Sequence, residues 1–397
     1  MNMDRAALNP NTATSPEFDL LLLCARTKID ETELAQARDL LKREIHWPSL
    51  LQLANDHHVL PLVERSLGQF AQALIPEPLT NQLREQSAAI LRQNLFRLGH
   101  LIHVLELLNA HRIRAIPYKG PAVAALAYGN VGLRRFGDLD ILVHPGDYFR
   151  ARDLLLSDGC SLVDDRGNEC CLMDDTHGHE VDLHRALMPG RVPFDLDFDR
   201  CHARCQPVVV GGRQITTFSP EDTLLVLCVQ LVKDASGTPP LFLIKICDIA
   251  ELLRAHPGMN WDDVVSEAGR LGGLGILSFG LSIARRFLRA PIPEHHVMVN
   301  RLAQRDWPSP SRHLGNKLIR ERAAGYVPVM SANRFNFSVR ERWRDKLSPY
   351  RDIIKKRVTP NERDRALIRL PAALGVLYYG VRPVRLARDF LGRRKRT

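Results

Sequence analysis

The sequence predicts a mixed α+β protein in which a small mixed β-sheet is flanked by helical parts on both sides. Two long stretches, one before about residue 110 and one after residue 219, place apolar residues at steps of three and four, which is typical of helices. Between them, short apolar segments alternate with polar turns, as strands do. The 397 residues are sufficient for more than one hydrophobic core.

The boundaries of these parts follow changes in pattern along the chain. Strand-like segments replace helical ones at Arg112, and a new helix is predicted to begin at Ser219, a favoured N-cap residue, with Pro220 in its first turn. Periodicity weakens again beyond Pro291. We therefore expect a helical N-terminal region over 1–110, an α/β core over 111–218, a helical domain that closes a cleft over 219–300, and a basic C-terminal extension over 301–397.

Within the core, the predicted order is strand, helix, strand, helix and then a mixed β stretch. IRAIPY is the first strand, KGPAVAALAYGN a helix rich in small residues, and DLDILV the second strand. GDYFRARDLLLSDG reads as an amphipathic helix that ends at Gly159. The later strands are CSLVDD, ECCLMDD, HEVDLH and QITTF, which together make a small α+β core.

Two carboxylates stand close together on the second predicted strand. Asp138 and Asp140 are two residues apart, so they point to the same face, while Leu139 and Ile141 point into the core. Adjacent carboxylates repel each other unless cations neutralise them. Mg²⁺ prefers carboxylate and phosphate oxygens, so the pair indicates a magnesium site beside a phosphate.

A third carboxylate is expected from the segment HEVDLH. Glu180, Asp182 and His184 share one face of this strand. We favour Asp182 as the metal ligand because apolar residues flank it on both sides, as they flank Asp140, and we keep Glu180 as the alternative. His184 is expected either to orient Asp182 or to cap the strand.

Basic residues and a glycine precede the acidic pair. Lys119-Gly120 lies where the first strand becomes a helix, and glycine there lets the backbone and the free N–H groups of the helix approach a phosphate. Lys119 can reach the same phosphate as a point charge. Arg134 and Arg135 lie just before the acidic pair and are expected to bind a triphosphate or pyrophosphate.

The order of these motifs resembles the polymerase-β-like nucleotidyltransferase superfamily, whose members carry a Gly-Gly or Gly-Ser step, a DxD or DxE pair and a third acid on a later strand. The chain is similar from about Leu20 onward to the bacterial family usually labelled uncharacterised nucleotidyltransferase. The stretches that carry this similarity are YKGPAVAALAYGNVGLRRFGDLDILV, EVDLHRAL, FSPEDTLLVLCVQLVKD and LIKICDIAELL.

The resemblance implies a metal-dependent transfer of a nucleoside monophosphate from an NTP to an unidentified acceptor hydroxyl, with release of pyrophosphate. It implies two Mg²⁺ ions, or Mn²⁺ in their place. The implied catalytic and metal-binding residues are Asp138, Asp140 and Asp182, and the implied phosphate-binding residues are Lys119, Gly120, Arg134, Arg135 and Lys233. Asp248 also matches a family position. Two departures stand out: Lys-Gly replaces the Gly-Ser step, and Gln230 stands where some members have histidine.

A second class of function stays open at this stage. The chain could be a non-catalytic module that keeps the fold and binds a nucleotide or a partner. The intact set of three carboxylates favours catalysis, because a degenerate site tends to lose a carboxylate first.

The cysteines and their neighbouring histidines suggest zinc as a further alternative. The candidate ligands are Cys170, Cys171, His177, His179, Cys201, His202 and Cys205. The chain has no CxxC pair, which zinc sites usually contain, so scattered reduced thiols in a cytoplasmic protein are the favoured interpretation.

Charge is concentrated at the C-terminal end. Residues 301–397 hold 25 Lys and Arg against 8 Asp and Glu, a net of +17, whereas the remainder carries a net of −7. This tail could bind an anionic partner such as a membrane surface or a nucleic acid, although a C-terminal helix packed on the body is the preferred interpretation. We expect no transmembrane segment and no signal peptide, and hence a cytoplasmic protein, with peripheral membrane attachment through the tail as the alternative.

Overall fold

The computed structural model describes most of the chain up to residue 305 and a few residues beyond it. The described residues are 15–71, 74–187, 194, 196–236, 241–305, 307, 337–343, 346 and 359. The chain forms two compact units, Met1–Arg340 and Glu341–Thr397. All elements named below belong to the first unit. The expected boundaries near residues 110, 218 and 300 stay predictions.

The N-terminal region is helical, as the apolar periodicity predicts. Its elements are α1 (Pro16–Cys24), α2 (Glu31–Leu40), α3 (Trp47–Asp56), α4 (Leu60–Phe70) and α5 (Glu77–Ala110). Helix α2 begins with a capping box in which Asp30 accepts from the backbone of Glu33 and the Glu33 side chain accepts from the backbone of Asp30. Helix α5 is 34 residues long and also carries buried apolar residues that pack on the sheet.

The mixed sheet confirms the predicted α+β class. Its strands are β1 (Ala115–Pro117), β2 (Asp138–Val143), β3 (Cys160–Asp165), β4 (Glu169–Asp174) and β5 (Glu180–His184). They lie in the order β1-β2-β5-β4-β3, with β2 parallel to β5 and the other neighbours antiparallel. The parallel pairing places β2 and β5, the two strands predicted to carry the carboxylates, side by side.

Helices and a hairpin connect and cover this sheet. After β1 come α6 (Pro121–Val123), which continues as a π-helical turn (Ala124–Tyr128), and later α7 (Tyr148–Ser157) and α8 (Phe198–Arg204). Strands β6 (Gln206–Val210) and β7 (Arg213–Thr217) form a separate antiparallel hairpin. Neither α8 nor β6 is predicted from the sequence. The Gly-Gly pair at 211–212 is the sequence signal that indicates a hairpin, and both glycines have positive φ in the structure.

The chain returns to helices at Ser219, as predicted. The helices are α9 (Pro220–Ser236), α10 (Leu243–Ala255), α11 (Trp261–Leu271), α12 (Leu274–Leu288) and α13 (Val297–Gln304). The Ser219 hydroxyl accepts from the Asp222 backbone N–H at 3.2 Å, which confirms the predicted N-cap. One hydrophobic core joins α9–α13 to α1–α4, and a second lies between the sheet and helices α5 and α7.

The described helices are all too short or too polar to cross a membrane. Most of the basic extension, including the stretch LPAALGVLYYGVRPVRLARDFLGRRKRT, lies outside the described residues. The expected anionic partner and the peripheral membrane attachment through this tail concern these residues and stay predictions.

Candidate functional site

The structure brings the predicted carboxylates together at one patch of the sheet. Strands β2 and β5 are parallel, with Asp140 directly beside Asp182 and Asp138 beside Glu180. Side chains in register on adjacent strands lie on the same face and close together. The period-two pattern of both strands therefore assembles the cluster, because the flanking apolar residues must face the core.

Asp140 is the most enclosed member of the cluster. Its residue exposure is 3 %, and its Oδ1 atom is contacted by the Lys119 ammonium, by Nε2 of His184 at 3.1 Å and by the Tyr118 hydroxyl at 3.4 Å. Its other carboxylate oxygen, Oδ2, is buried and has no hydrogen-bond partner among the described residues. A buried carboxylate oxygen without a partner is costly, so this atom is available to a cation.

The charge of Asp140 is held in place by its basic neighbours. Burial alone would raise the pKa of this carboxyl, but Lys119 and His184 outweigh burial and hold the pKa well below its usual range. Asp140 in turn raises the pKa of Lys119 against the effect of burial. Asp140 is therefore ionised at neutral pH, as a metal ligand must be.

Asp182 has the opposite electrostatic environment. Burial and the neighbouring Asp140 charge raise the pKa of its carboxyl to about 6, and His184 opposes this increase. Two carboxylates that perturb each other in this way need a cation to be ionised together without cost. His184 contacts Asp140 and not Asp182, so its orienting role differs from the one the sequence suggested.

The atoms that could hold a metal ion form a tight group. Asp140, Asp182 and His184 each offer one ligand atom, and these atoms lie within 4.8 Å of one another. A second group of the same compactness consists of Cys171, Glu180 and Asp182. Asp138 belongs to neither group of described residues, although its charge influences the pKa of Asp182. The Asp140 Oδ2 atom and the carboxylate-rich donor set fit a hard divalent cation such as Mg²⁺.

Gly120 brings the chain close to the start of β2. It has φ 45° and lies immediately before α6. A Cβ atom built there would lie 3.3 Å from the carbonyl oxygen of Asp138. Glycine is therefore required for the backbone conformation and for the close approach.

Substituting Gly120 by Ala is expected to destabilise the protein by roughly 1–3 kcal/mol, because alanine must adopt a strained positive φ against the β2 backbone. Urea unfolding measures this change. Gly137→Ala is the matched control, since a Cβ there has open space and the residue has an ordinary φ. Equal stability of the two variants would contradict this explanation of Gly120.

Arg134 differs from its sequence-based interpretation. It is 5 % exposed, and its Nε and Nη2 atoms donate to the two carboxylate oxygens of Asp248 on α10 at 2.8 Å each. The hydroxyl of Tyr128 also donates to Asp248 at 2.8 Å. A guanidinium buried in this bidentate pair is engaged by the protein itself, so the geometry favours a structural role for Arg134 over the phosphate role expected from the sequence. It instead joins the segment before β2 to the helical part.

Three other cations near the acidic cluster have no described anionic partner. They are Arg135, which was predicted, and Arg97 on α5 and Lys245 on α10, which were not. Within the described part of the chain, no hydrogen bond or ion pair engages their charged groups. Burial lowers the pKa of Arg97 and Arg135 lowers it further, whereas Asp138 raises it, so Arg97 lies close enough to both residues for their charges to act on it.

We call Arg97, Arg135 and Lys245 the basic surface, to which Lys245 contributes from α10. Burial lowers its pKa, Asp234 acts in the opposite sense, and Lys119 and Arg134 lower it further. Burial, Arg135 and Lys245 together lower the pKa of His58 to about 4. Arg135, before β2, and Lys245, on α10, therefore both lie near His58.

An aromatic pair adjoins this basic surface. The His58 ring stacks on Phe242 with 4.3 Å between centroids and 16° between planes. Phe242 lies immediately before α10, and His58 lies between α3 and α4. Lys233, the helical-domain lysine implied by the resemblance, is exposed in the last turn of α9, and its phosphate role stays a prediction.

Comparison with known proteins gives a clear family and several distant structural neighbours. No curated protein matches the chain. A solution structure of the antibiotic-resistance factor ANT(2'')-Ia shares 13 % identity at a TM-score of 0.32, covering 44 % of this chain and 91 % of that one. The lincosamide antibiotic adenylyltransferase LnuA, with lincomycin bound, shares 18 % identity at a TM-score of 0.30, covering 39 % of this chain and 94 % of that one.

A nucleotidyltransferase-like protein from Paracoccidioides brasiliensis shares 13 % identity at a TM-score of 0.28, covering 43 % of this chain and 84 % of that one. At these values the neighbours assign no substrate to this chain. The model of one sequence family, described as uncharacterised nucleotidyltransferase, matches residues 43–289, which is more than half of the chain. The match spans the acidic cluster and helices α9–α12. The chain belongs to the uncharacterised nucleotidyltransferase family.

Proposed function

We propose that the chain transfers a nucleoside monophosphate from an NTP to an acceptor hydroxyl at the cluster of Asp138, Asp140 and Asp182. The observation that carries this proposal is the pairing of Asp140 with Asp182 across parallel strands, with a buried Asp140 oxygen that lacks a partner. Unpaired cations beside the cluster supply the complementary charge for a triphosphate.

Asp138, Asp140 and Asp182 would hold divalent ions, two Mg²⁺ or Mn²⁺ in the form proposed from the sequence. Bound there, such ions polarise phosphate oxygens and lower the pKa of an attacking hydroxyl. His184 and Lys119 hold the Asp140 carboxylate ionised and fixed in orientation. The protein's own side chains therefore set the charge and orientation of Asp140.

In the proposed reaction, the acceptor oxygen forms a bond to the α-phosphorus. At the same time the bond breaks between the α-phosphorus and the oxygen that bridges it to the β-phosphate. Pyrophosphate leaves with the electron pair of the broken bond. Asp182 is the group proposed to accept the hydroxyl proton and then release it to solvent. Arg135, Arg97 and Lys245 would bind the triphosphate and the departing pyrophosphate.

Incubation of the purified protein with each α-labelled NTP, Mg²⁺ and a cell extract tests this function. We expect the label to appear on a new molecule, which mass spectrometry would identify, and pyrophosphate to be released in equal amount. NTP binding without label transfer or pyrophosphate release would contradict the proposal and favour the non-catalytic module considered from the sequence.

Lys245→Met is expected to raise KM for the NTP roughly 10-fold or more, because a charge-assisted contact to phosphate contributes about 1.5–3 kcal/mol. We expect a smaller change in kcat, since the lysine is proposed to bind the nucleotide and not to transfer protons. Steady-state kinetics measures both constants. Lys245→Arg should restore part of the affinity. Lys42→Met, on an exposed lysine near the end of α2, is the matched control, and an unchanged KM in Lys245→Met would remove this residue from the site.

A further inference from the structure

A second cluster of ligand-type side chains lies on the opposite face of the sheet from the acidic cluster. It consists of His100 from α5, Asp174 from the end of β4 and His179 from the turn before β5. One ligand atom from each lies within 4.8 Å of the others. Asp182 is in register with Cys171 of β4, and Asp174 is three residues farther along, so the Asp174 side chain points to the other face.

Two imidazole nitrogens in this cluster are buried without a hydrogen-bond partner among the described residues. They are Nδ1 of His100 and Nδ1 of His179. The His100 side chain is only 10 % exposed, and its Nδ1 lies 3.8 Å from Oδ2 of Asp174, too far for a hydrogen bond. Buried polar atoms are nearly always paired, so two unpaired imidazole nitrogens in one cluster indicate a missing ligand.

The charges of these side chains agree with the cation that the geometry of the cluster indicates. Burial lowers the pKa of both His100 and His179, which favours the neutral rings. Burial would raise the pKa of Asp174, but the Thr176 backbone N–H and the His177 ring lower it overall. Neutral imidazoles and an ionised carboxylate are the forms that coordinate metal ions.

His177 completes the surroundings of the cluster. Its Nδ1 lies 2.7 Å from Oδ2 of Asp174, and its ring stacks on His179 with 5.8 Å between centroids. The turn itself is fixed by backbone hydrogen bonds from Gly178 to Asp174 and from Asp174 to His179. Carboxylate ligands of metal sites are usually hydrogen-bonded by outer-shell groups, as Asp174 is by His177.

We propose that His100, Asp174 and His179 bind a divalent transition-metal ion, Zn²⁺ being the best fit to two imidazoles and one carboxylate. His177 orients the Asp174 carboxylate. The ion would fasten the β4–β5 turn to α5 and thereby hold β5, the strand that carries Asp182. His177 and His179 also belong to the zinc alternative raised by the sequence. In the proposed site His179 is a ligand and His177 is not, and His100 and Asp174 take the place of the cysteines.

The test uses the full-length chain without a histidine tag. Zinc affinity is measured by competition with a chromophoric chelator, and Co²⁺ replaces zinc to report imidazole coordination in the visible spectrum. We expect His100→Ala and His179→Ala to lose affinity by more than the roughly 10–100-fold that an outer-shell partner contributes, and His177→Ala to lose an amount within that range. Zinc should raise the melting temperature of the wild type but not of His179→Ala.

Two control variants keep the outcomes distinct. His103→Ala removes an exposed α5 histidine that pairs with Asp158, and it should leave zinc affinity unchanged. Asp182→Asn, in the acidic cluster, should also retain the zinc site, so the test is independent of catalysis. Wild-type affinity in both His100→Ala and His179→Ala, or no zinc binding by the wild type, would overturn the proposal. If His100→Ala fails to fold, His179→Ala and His177→Ala decide it.

Discussion

Replacing Asp182 by Asn is expected to reduce nucleotidyl transfer by roughly 10³-fold or more and, at the same time, to stabilise the metal-free protein. Activity falls because the proposed proton acceptor and metal ligand is lost. Stability rises because the neutral amide no longer repels the buried Asp140 carboxylate beside it. A residue that serves only the fold would not show these opposite effects.

The size and pH dependence of the stabilisation follow from the raised pKa of Asp182. A shift from 3.8 to about 6 corresponds to at most about 3 kcal/mol, and solvent screening of this half-buried group reduces the expected gain to about 1 kcal/mol. The carboxylate costs stability where it is ionised, above a pH of about 6. The difference between variant and wild type should therefore vanish as the pH falls towards the ordinary pKa of 3.8.

Chemical unfolding without metal and label transfer with Mg²⁺ measure the two effects. Asp164→Asn is the matched control, since Asp164 lies on β3 of the same sheet with an exposed side chain that pairs with Arg166. It should leave activity and its pH profile unchanged. Retained transfer in Asp182→Asn would exclude Asp182 from the reaction.

Asp248→Asn is expected to destabilise the protein by about 3–5 kcal/mol, because it leaves the Arg134 guanidinium buried without a counter-ion. The amide can still accept from the Tyr128 hydroxyl, so the loss reports mainly on the ion pair. Urea unfolding measures the change. The surface pair of Arg150 and Asp147 is the control: Asp147→Asn should cost less than about 1 kcal/mol.

A double variant separates the structural role of Arg134 from phosphate binding. Arg134→Met combined with Asp248→Leu replaces the buried pair by apolar side chains and should recover much of the lost stability. We expect this double variant to keep a KM for the NTP close to that of the wild type. A large increase in KM without loss of stability would contradict a purely structural role and assign Arg134 to the phosphate site.

The sequence predicts the sheet and the acidic cluster because both depend on short-range patterns. The alternation in DLDILV and EVDLH fixes which side chains face the core. Because the apolar side chains occupy the buried face of the sheet, the acidic side chains lie on the opposite face. The pairing of Asp140 with Asp182 then follows once the two strands are neighbours. The strand order itself depends on long-range contacts that no local pattern contains.

The environments of the basic residues could not be predicted from local patterns. Arg134 and Arg135 are adjacent in sequence, yet Arg134 is buried and Arg135 is exposed. The difference depends on Asp248, which lies 114 residues later in the chain. Arg97 and Lys245 were not predicted because one lies in a long helix and the other in an apolar run. A single lysine inside the run LFLIKICDIA was the one available indication.

Manganese binding in the presence of an NTP tests for a metal site at the acidic cluster, since Mn²⁺ can replace Mg²⁺ and is detected by electron paramagnetic resonance. We expect the wild type and Asp164→Asn to bind Mn²⁺ with the nucleotide. We expect the double variant Asp140→Asn with Asp182→Asn to lose this binding while it still folds. Equal Mn²⁺ stoichiometry and affinity in the folded double variant and the wild type would contradict a metal site at these carboxylates.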